Sequence, residues 1–273
     1  MSLLKTLKQL VETWFSIEIR RARKAPYFID LEKDLVRLLK LDNGNGLLIL
    51  DVGANEGQSA AKYSALFPSA TIHCFEPGVA YKMLVESFKS NVQVKPVQIA
   101  ISDSVGSCQF HHGSDSLVSS ILNPEAIERQ GFESTTVVAT TTLDDYCKQN
   151  SISQIDLLKI DVQGAELRVL LGAKSLLRNQ RISVIVAEVW FSRFYENQAC
   201  FHDIVSFMSE CGYHLFSLYN FASRTPHVGV EWCDAAFLKQ NSKANGLAGL
   251  HRKSGDVRPP LEPVPKVGTG GGH

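Results

Sequence analysis

Acidic residues stand at the predicted carboxyl ends of the first strands of this chain, and the first of them opens a glycine turn. The segment Leu50-Asp51-Val52-Gly53-Ala54-Asn55-Glu56-Gly57 follows an apolar run and precedes a helical pattern. Ligands of open α/β sheets bind outside the carboxyl ends of the strands, so this turn is placed for a cofactor. Gly53 allows a tight turn, and Gly57 is expected to let the backbone pass close to a ligand. The spacing is G-x-x-x-G, and Asn55 replaces the middle glycine that a pyrophosphate requires. Asp51 would repel a diphosphate and suits a ligand carrying an ammonium group. An amino-acid-bearing nucleoside therefore fits better than NAD, which disfavours an oxidoreductase. Glu76, in Phe75-Glu76-Pro77, stands where a carboxylate accepts both ribose hydroxyls. Asp103, in Ala100-Ile101-Ser102-Asp103, could accept from an adenine amino group.

The elements that position these residues repeat as strand, turn, helix. Apolar runs predict strands at 47–52, 71–75, 92–101 (bent near Pro96), 155–162 and 182–190. Helical patterns fall at 57–66, 79–88, 165–177 and 201–211, with a short helix from about 143. Residues 109–112 and 137–140 read as short extra strands, and 113–135 as a long loop. Strands at 213–219 and 232–239 lack a long helix between them and should pair antiparallel at one edge. Repeated units of this kind predict an α/β fold with a seven-stranded, mostly parallel, doubly wound sheet.

Upstream, Leu4, Leu7, Leu10, Val11, Trp14 and Ile17 recur at helical spacing, predicting a helix over 3–22, and a second is expected over 30–40. Arg20, Arg21, Arg23 and Lys24 follow the first. It is either a lid packed on the main domain or a weak peripheral membrane contact. Residues 241–273 carry seven of the 19 glycines and four of the ten prolines and read as a disordered tail. The expected division is an N-terminal helical cap at 1–42, a catalytic domain at 43–240 and the tail.

Four segments together resemble the FkbM-type family of class I S-adenosylmethionine-dependent methyltransferases. They are Asp51-Val-Gly-Ala-Asn-Glu-Gly57, Phe75-Glu-Pro77, Ala100-Ile-Ser-Asp103, and Leu158-Lys-Ile-Asp-Val-Gln-Gly-Ala-Glu166 with Val169-Leu-Leu-Gly172 behind it. The resemblance covers about residues 47–239. It implies a Rossmann-like sheet, S-adenosylmethionine as cofactor, and O-methyl transfer, often to sugars or secondary metabolites. Gln163 stands where the family commonly carries Glu. The implied cofactor residues are Asp51, Gly53, Asn55, Gly57, Glu76 and Asp103.

Methyl transfer to a hydroxyl needs an in-line acceptor and a base or metal to take the proton. Asp161 ends the fourth main strand and Glu188 lies near the end of the fifth, so both are candidates for base or for ligands of Mg²⁺ or Mn²⁺. Asp161 is the first candidate; its structural alternative is a helix cap. Glu166 is either a helix-dipole carboxylate or a substrate or metal contact. Lys159, on a strand buried on both faces, needs a charged partner. His112, beside His111, is a third candidate base. Trp190, Phe191, Phe194 and Tyr195 could line an acceptor pocket. A silent S-adenosylmethionine-binding module remains the competing reading; it would lack a base and an open acceptor pocket.

Bulk properties bound the partners. Lys+Arg and Asp+Glu both total 28, and the basic excess sits at the two ends, so no extended surface for nucleic acid is expected on the body. A small-molecule or glycan acceptor is expected. The six cysteines show no metal spacing and read as reduced packing residues. No apolar run reaches membrane-spanning length, and a cytoplasmic protein is expected.

Overall fold

The computed structural model describes residues 27–40, 46–125, 131–224, 227 and 229–239. The first predicted helix (3–22) and the tail lie outside the described residues. A helix does form at Leu31–Lys40 (α1). The chain then runs β1 (Leu48–Val52), α2 (Gln58–Leu66), β2 (Thr71–Phe75), α3 (Tyr81–Phe88), β3 (Val94–Val97), β4 (Ala100–Ile101), β5 (Gly106–Gly113), a 3₁₀ turn (Ser116–Val118) and β6 (Phe132–Thr141). There follow α4 (Leu143–Gln149), β7 (Ile155–Ile160), α5 (Glu166–Leu171), α6 (Lys174–Arg178), β8 (Ile182–Trp190), α7 (Phe201–Glu210), β9 (Tyr213–Ala222) and β10 (Trp232–Lys239).

Seven strands form one sheet in the order β3-β2-β1-β7-β8-β10-β9. β10 inserts antiparallel between β8 and β9, and the other pairings are parallel. The order reverses between β1 and β7, so the ligand crevice of an open α/β sheet falls there. The register places Asp51 opposite Lys159, and Glu188 opposite Asp234.

Alternation along the central strands feeds two cores. Leu50, Val52, Leu158, Ile160 and Ile185 pack toward α4, α5 and α7 through Leu143, Val169 and Met208. Ile49, Ile72, Leu157, Val184 and Val186 pack toward α1, α2 and α3 through Leu35, Ala60, Tyr63 and Leu84. Asp34, buried in α1, accepts from the Tyr219 hydroxyl of β9 at 2.8 Å and so pins α1 to the far side of the sheet.

Two elements differ from the sequence expectation. The strand expected over 92–101 divides after Val97, because Ala100 and Ile101 leave the main sheet to pair with Thr140 and Thr141 in a three-stranded sheet, β4-β6-β5. The helix expected over 165–177 breaks between α5 and α6. A Cβ at Gly172 would lie 2.0 Å from the Ser102 carbonyl oxygen, so the break lets the β4 end seat against it. The cysteines are all free thiols. No helix among the described residues is long and apolar enough to cross a membrane.

Candidate active site

A cavity of about 650 Å³ opens at the β1–β7 switch point. One wall is the β1 turn. Gly53 and Ala54 both donate backbone N–H groups to the Phe75 carbonyl at 3.0 Å, tying the turn to β2. Gly53 has φ +82°, and a Cβ there would lie 1.8 Å from the Asp161 carbonyl oxygen. Its glycine is thus required by the close passage of β7 as well as by the turn. Glu76 is nearly buried and accepts from Gly78 N at 2.7 Å and Asn55 N at 3.1 Å. Burial raises its pKa, and the two N–H donors pull it back. Each carboxylate oxygen keeps a further lone pair, enough for a vicinal diol. The Asn55 amide also hydrogen-bonds the Ser116 hydroxyl at 3.2 Å, bringing the 3₁₀ turn over the cavity.

Gly53, Asn55 and Glu76 line the cavity; Asp51, Gly57 and Asp103 do not. Gly57 has φ +100°, and a Cβ there would lie 2.3 Å from the Phe88 ring and 2.9 Å from Leu84, so its glycine is required by the turn and by the packing of α2 on α3. Asp103 accepts from the hydroxyls of Ser102 and Ser104 instead of facing the cavity. Asp51 is buried behind the turn, and one of its oxygens has no hydrogen-bond partner. Burial pushes its pKa up to about 7 against the opposing pull of Lys159. Phe110 of β5, which glycine spacing could not announce, enters the wall close to Glu76: a Cβ at Gly78 would be 2.8 Å from its ring and 2.9 Å from Glu76 Oε1.

Asp161 and Glu188 come together at the deep end. Lys159 Nζ donates to Asp161 Oδ2 at 3.0 Å and lies 4.0 Å from Asp234, the buried salt link its position demanded. Gln163 Nε2 donates to Asp161 Oδ1 and to Glu188 Oε2, both at 3.1 Å. Asp161 does not cap the following helix. Glu166 organises that loop instead, accepting from Val162 N and Gly164 N at 3.1 Å. Burial pushes Glu166 up to about 7 in spite of these donors. Glu188 is raised well above the ordinary carboxylate range, first by burial and then by the neighbouring Asp161 charge.

This arrangement separates two roles. Both oxygens of Asp161 are engaged by donors, whereas Glu188 has one engaged oxygen and a raised proton affinity. Glu188 thus keeps an oxygen free of donors among the described residues and binds a proton more readily than an ordinary carboxylate. Among the described residues no group of three or more His, Cys, Asp or Glu is placed to hold a metal ion. The expected Mg²⁺ or Mn²⁺ site does not fit the pair either, because N–H donors and an ammonium already point at the oxygens a cation would need. His112 lines the same cavity, but its contacts are Thr136, at 2.7 Å, and the edge of Phe110. They place it with Phe110 rather than with the carboxylates.

Aromatic residues close another side of the cavity. Trp190 stacks near Trp232 (5.1 Å between centroids) and Phe194 (4.9 Å), and Tyr195 meets Trp190 edge-on. The Trp190 indole nitrogen is buried without a hydrogen-bond partner. The Arg224 guanidinium lies 3.8 Å over the Phe194 ring. Trp232 and Arg224, distant in sequence, join the wall, while Phe191 turns away to pack on Phe201. Behind the carboxylates a second, polar cavity of about 210 Å³ is lined by α1, α2, β9 and β10, and it shares Asp161 and Glu188 with the first.

Residues 51–215 match the methyltransferase FkbM domain family. Among curated proteins, 2-O-methyltransferase NoeI of Sinorhizobium fredii is 31% identical over 64% of this chain and 75% of its own length. The 31-O-demethyl-FK506 methyltransferase FkbM of Streptomyces tacrolimicus is 29% identical over 53% of this chain and 65% of its own. Hexuronic acid methyltransferase AglP of Haloferax volcanii is 26% identical over 58% and 62%. The chain thus spans just under two thirds of the latter two. Among solved structures, magnesium protoporphyrin IX methyltransferase of Synechocystis with bound S-adenosylmethionine has a TM-score of 0.44 at 11% identity, covering 77% of this chain and 78% of that one.

Proposed function

From the membership of this chain in the FkbM methyltransferase family, as an S-adenosylmethionine-dependent methyltransferase, we propose that it methylates a hydroxyl of a sugar, glycan or secondary metabolite, with Glu188 as the base. The observation that carries this reading is Glu188 itself. It is a carboxylate of raised proton affinity in the wall of a large cavity, two residues from an aromatic face. A silent binding module would need neither.

The residues present fit the cofactor. Glu76 would hold the ribose hydroxyls, the Gly53–Asn55 turn would border the ligand, and Phe110 would pack beside its nucleoside part. Bound there, the cofactor supplies a sulfonium methyl group as electrophile. Trp190, Trp232 and Phe194 would present the acceptor by stacking on a sugar ring or an apolar ring system. Glu188 would take the proton of the acceptor hydroxyl as that oxygen is methylated, through the carboxylate oxygen that Gln163 leaves open. Asp161, with one oxygen engaged by Lys159 and the other by Gln163, would not take that proton.

S-adenosylhomocysteine is expected to raise the melting temperature, and NAD to leave it unchanged. A radiolabelled methyl-transfer screen over glycans, sugar acids and metabolites should give products whose label survives mild alkali, as ethers do. Label confined to amines or to alkali-labile esters overturns the hydroxyl reading. Cofactor binding with no labelled acceptor across the screen favours the silent module.

A further inference from the structure

We propose that Gln163 is a positioning residue for methyl transfer: its single side-chain amide holds Asp161 and Glu188 together, as a divalent cation does at other carboxylate pairs, and makes the reaction independent of metal. The inference rests on the assignment of Glu188 as base. Two negative side chains that line one partly enclosed cavity repel each other, and something must lie between them. Here it is one NH₂ group with its two N–H bonds divided between the two acids, each at 3.1 Å. A cation in that place would require the amide to turn and present oxygen instead. The present donor pattern and a bridging cation therefore exclude each other.

The division also fixes which atom reacts. Gln163 occupies Oε2 of Glu188, and among the described residues no hydrogen bond is made by Oε1. Oε1 is then the atom that receives the hydroxyl proton. Asp161, held by Gln163 on one oxygen and Lys159 on the other, has no equivalent atom.

The backbone carries a second, independent sign. Gln163 has φ +53°, a left-handed conformation that a residue with a Cβ adopts rarely. It is held there from both sides. The Ser120 hydroxyl donates to its carbonyl at 2.7 Å, and Glu166 accepts the N–H groups of Val162 and Gly164 on either flank. Disfavoured backbone that the surroundings enforce, at a side chain directed between two acids, is the pattern of a functional position.

The charged and titratable groups facing Glu188 are Lys159 and Asp161 from β7 and its exit, Glu166 from α5 and Asp234 from β10. Glu32 of α1 and Lys62 and Tyr63 of α2 face it across the second cavity. Of these only Asp161 shares the Gln163 amide, so a change in the pH profile on substitution reads the N–H bonds lost to the pair.

The test uses Gln163→Met, which keeps length and removes the donors, and Gln163→Glu, which keeps shape and adds a third acid. Gln163→Met is expected to lower kcat by roughly 10- to 100-fold with the acceptor KM little changed. The acidic limb of its pH profile should move to higher pH, because an N–H that favoured ionised Glu188 is gone. Wild-type activity should be indifferent to chelator, whereas Gln163→Glu should be weak in chelator and gain activity and measurable Mn²⁺ binding when the metal is supplied. Wild-type activity lost in chelator and restored by Mg²⁺ or Mn²⁺ overturns the proposal. So does a Gln163→Met variant with normal kcat and an unmoved pH profile, or one that loses only melting temperature. If Glu188→Gln is also nearly fully active, the base assignment has failed first; if Glu188→Gln is inactive, only the role of Gln163 has.

Discussion

Glu188→Gln is expected to lower kcat by about 10²–10⁴ while S-adenosylhomocysteine binds with nearly unchanged affinity. The amide is isosteric, so the aromatic wall and the Asp161 salt link stay in place, and the group that takes the proton is lost. The wild-type enzyme should show kcat/KM rising with pH through a limb above the ordinary carboxylate range. The sign follows from the role: the base must be unprotonated to act, and burial together with Asp161 raises the pH at which Glu188 ionises. That limb should disappear in the variant. Asp161→Asn is the informative contrast. It removes the partner of a buried ammonium, so its loss should fall largely on melting temperature. A Glu188→Gln enzyme within a few-fold of wild type on a good acceptor would remove Glu188 from the chemistry and leave proximity to explain the rate.

The second large effect is at the other end of the cavity. Glu76→Ala is expected to weaken cofactor binding by about 2–4 kcal/mol, roughly 30- to 1000-fold, because it removes two charge-assisted hydrogen bonds to the ribose. Glu76 also holds the N–H groups of Asn55 and Gly78. Its removal therefore loosens the β1 turn, and Glu76→Gln separates the two effects, since it keeps the shape but turns an N–H toward one of these donors. Calorimetry with S-adenosylhomocysteine reads both variants. Unchanged affinity in Glu76→Ala would overturn the ribose assignment.

The main sheet was legible because its strands are buried on both faces and read as mostly apolar runs, as in Leu48–Val52 and Ile182–Trp190. The strand pair β5–β6 was legible only as fragments. Its sequences, GSCQFHHG and FESTTVVATT, are largely exposed, and serines and threonines that pair well in a ladder leave no apolar alternation. That same excursion decided Asp103. The residue stands at a strand end, but β4 leaves the main sheet, and its carboxylate turns to nearby serines. Gly57 shows the limit of motif reasoning from another side: spacing declares that a side chain is unwelcome and says nothing of whether the obstacle is a ligand or Phe88. Asp161 and Glu188 could be paired in advance because they end neighbouring strands. Gln163, Trp232 and Arg224 could not. The first stood out only as a departure from the family's Glu, with no sign of its two bonds, and the others reach the cavity from the last hairpin, about 40–70 residues farther along the chain.

The polar cavity behind the carboxylates has a pharmacological consequence. Inhibitors that imitate a cofactor meet features shared by every enzyme using that cofactor, and they discriminate poorly among them. The rear cavity is made by Leu31, Glu32 and Leu35 of α1, Lys62 and Tyr63 of α2, and Asn220 and Asp234 of the closing hairpin, yet it reaches Asp161 and Glu188. A small basic fragment seated there would pair with the two carboxylates from the rear cavity and so interfere with the role proposed for Glu188. Its potency should not fall as S-adenosylmethionine is raised, and it should weaken on Glu32→Gln, a residue that lines the rear cavity and not the front one. Strict competition with the cofactor would mean that such a fragment had bound in the front cavity. Selectivity among methyltransferases would then be set by the helix laid across the sheet, not by the pocket in which the methyl group is delivered.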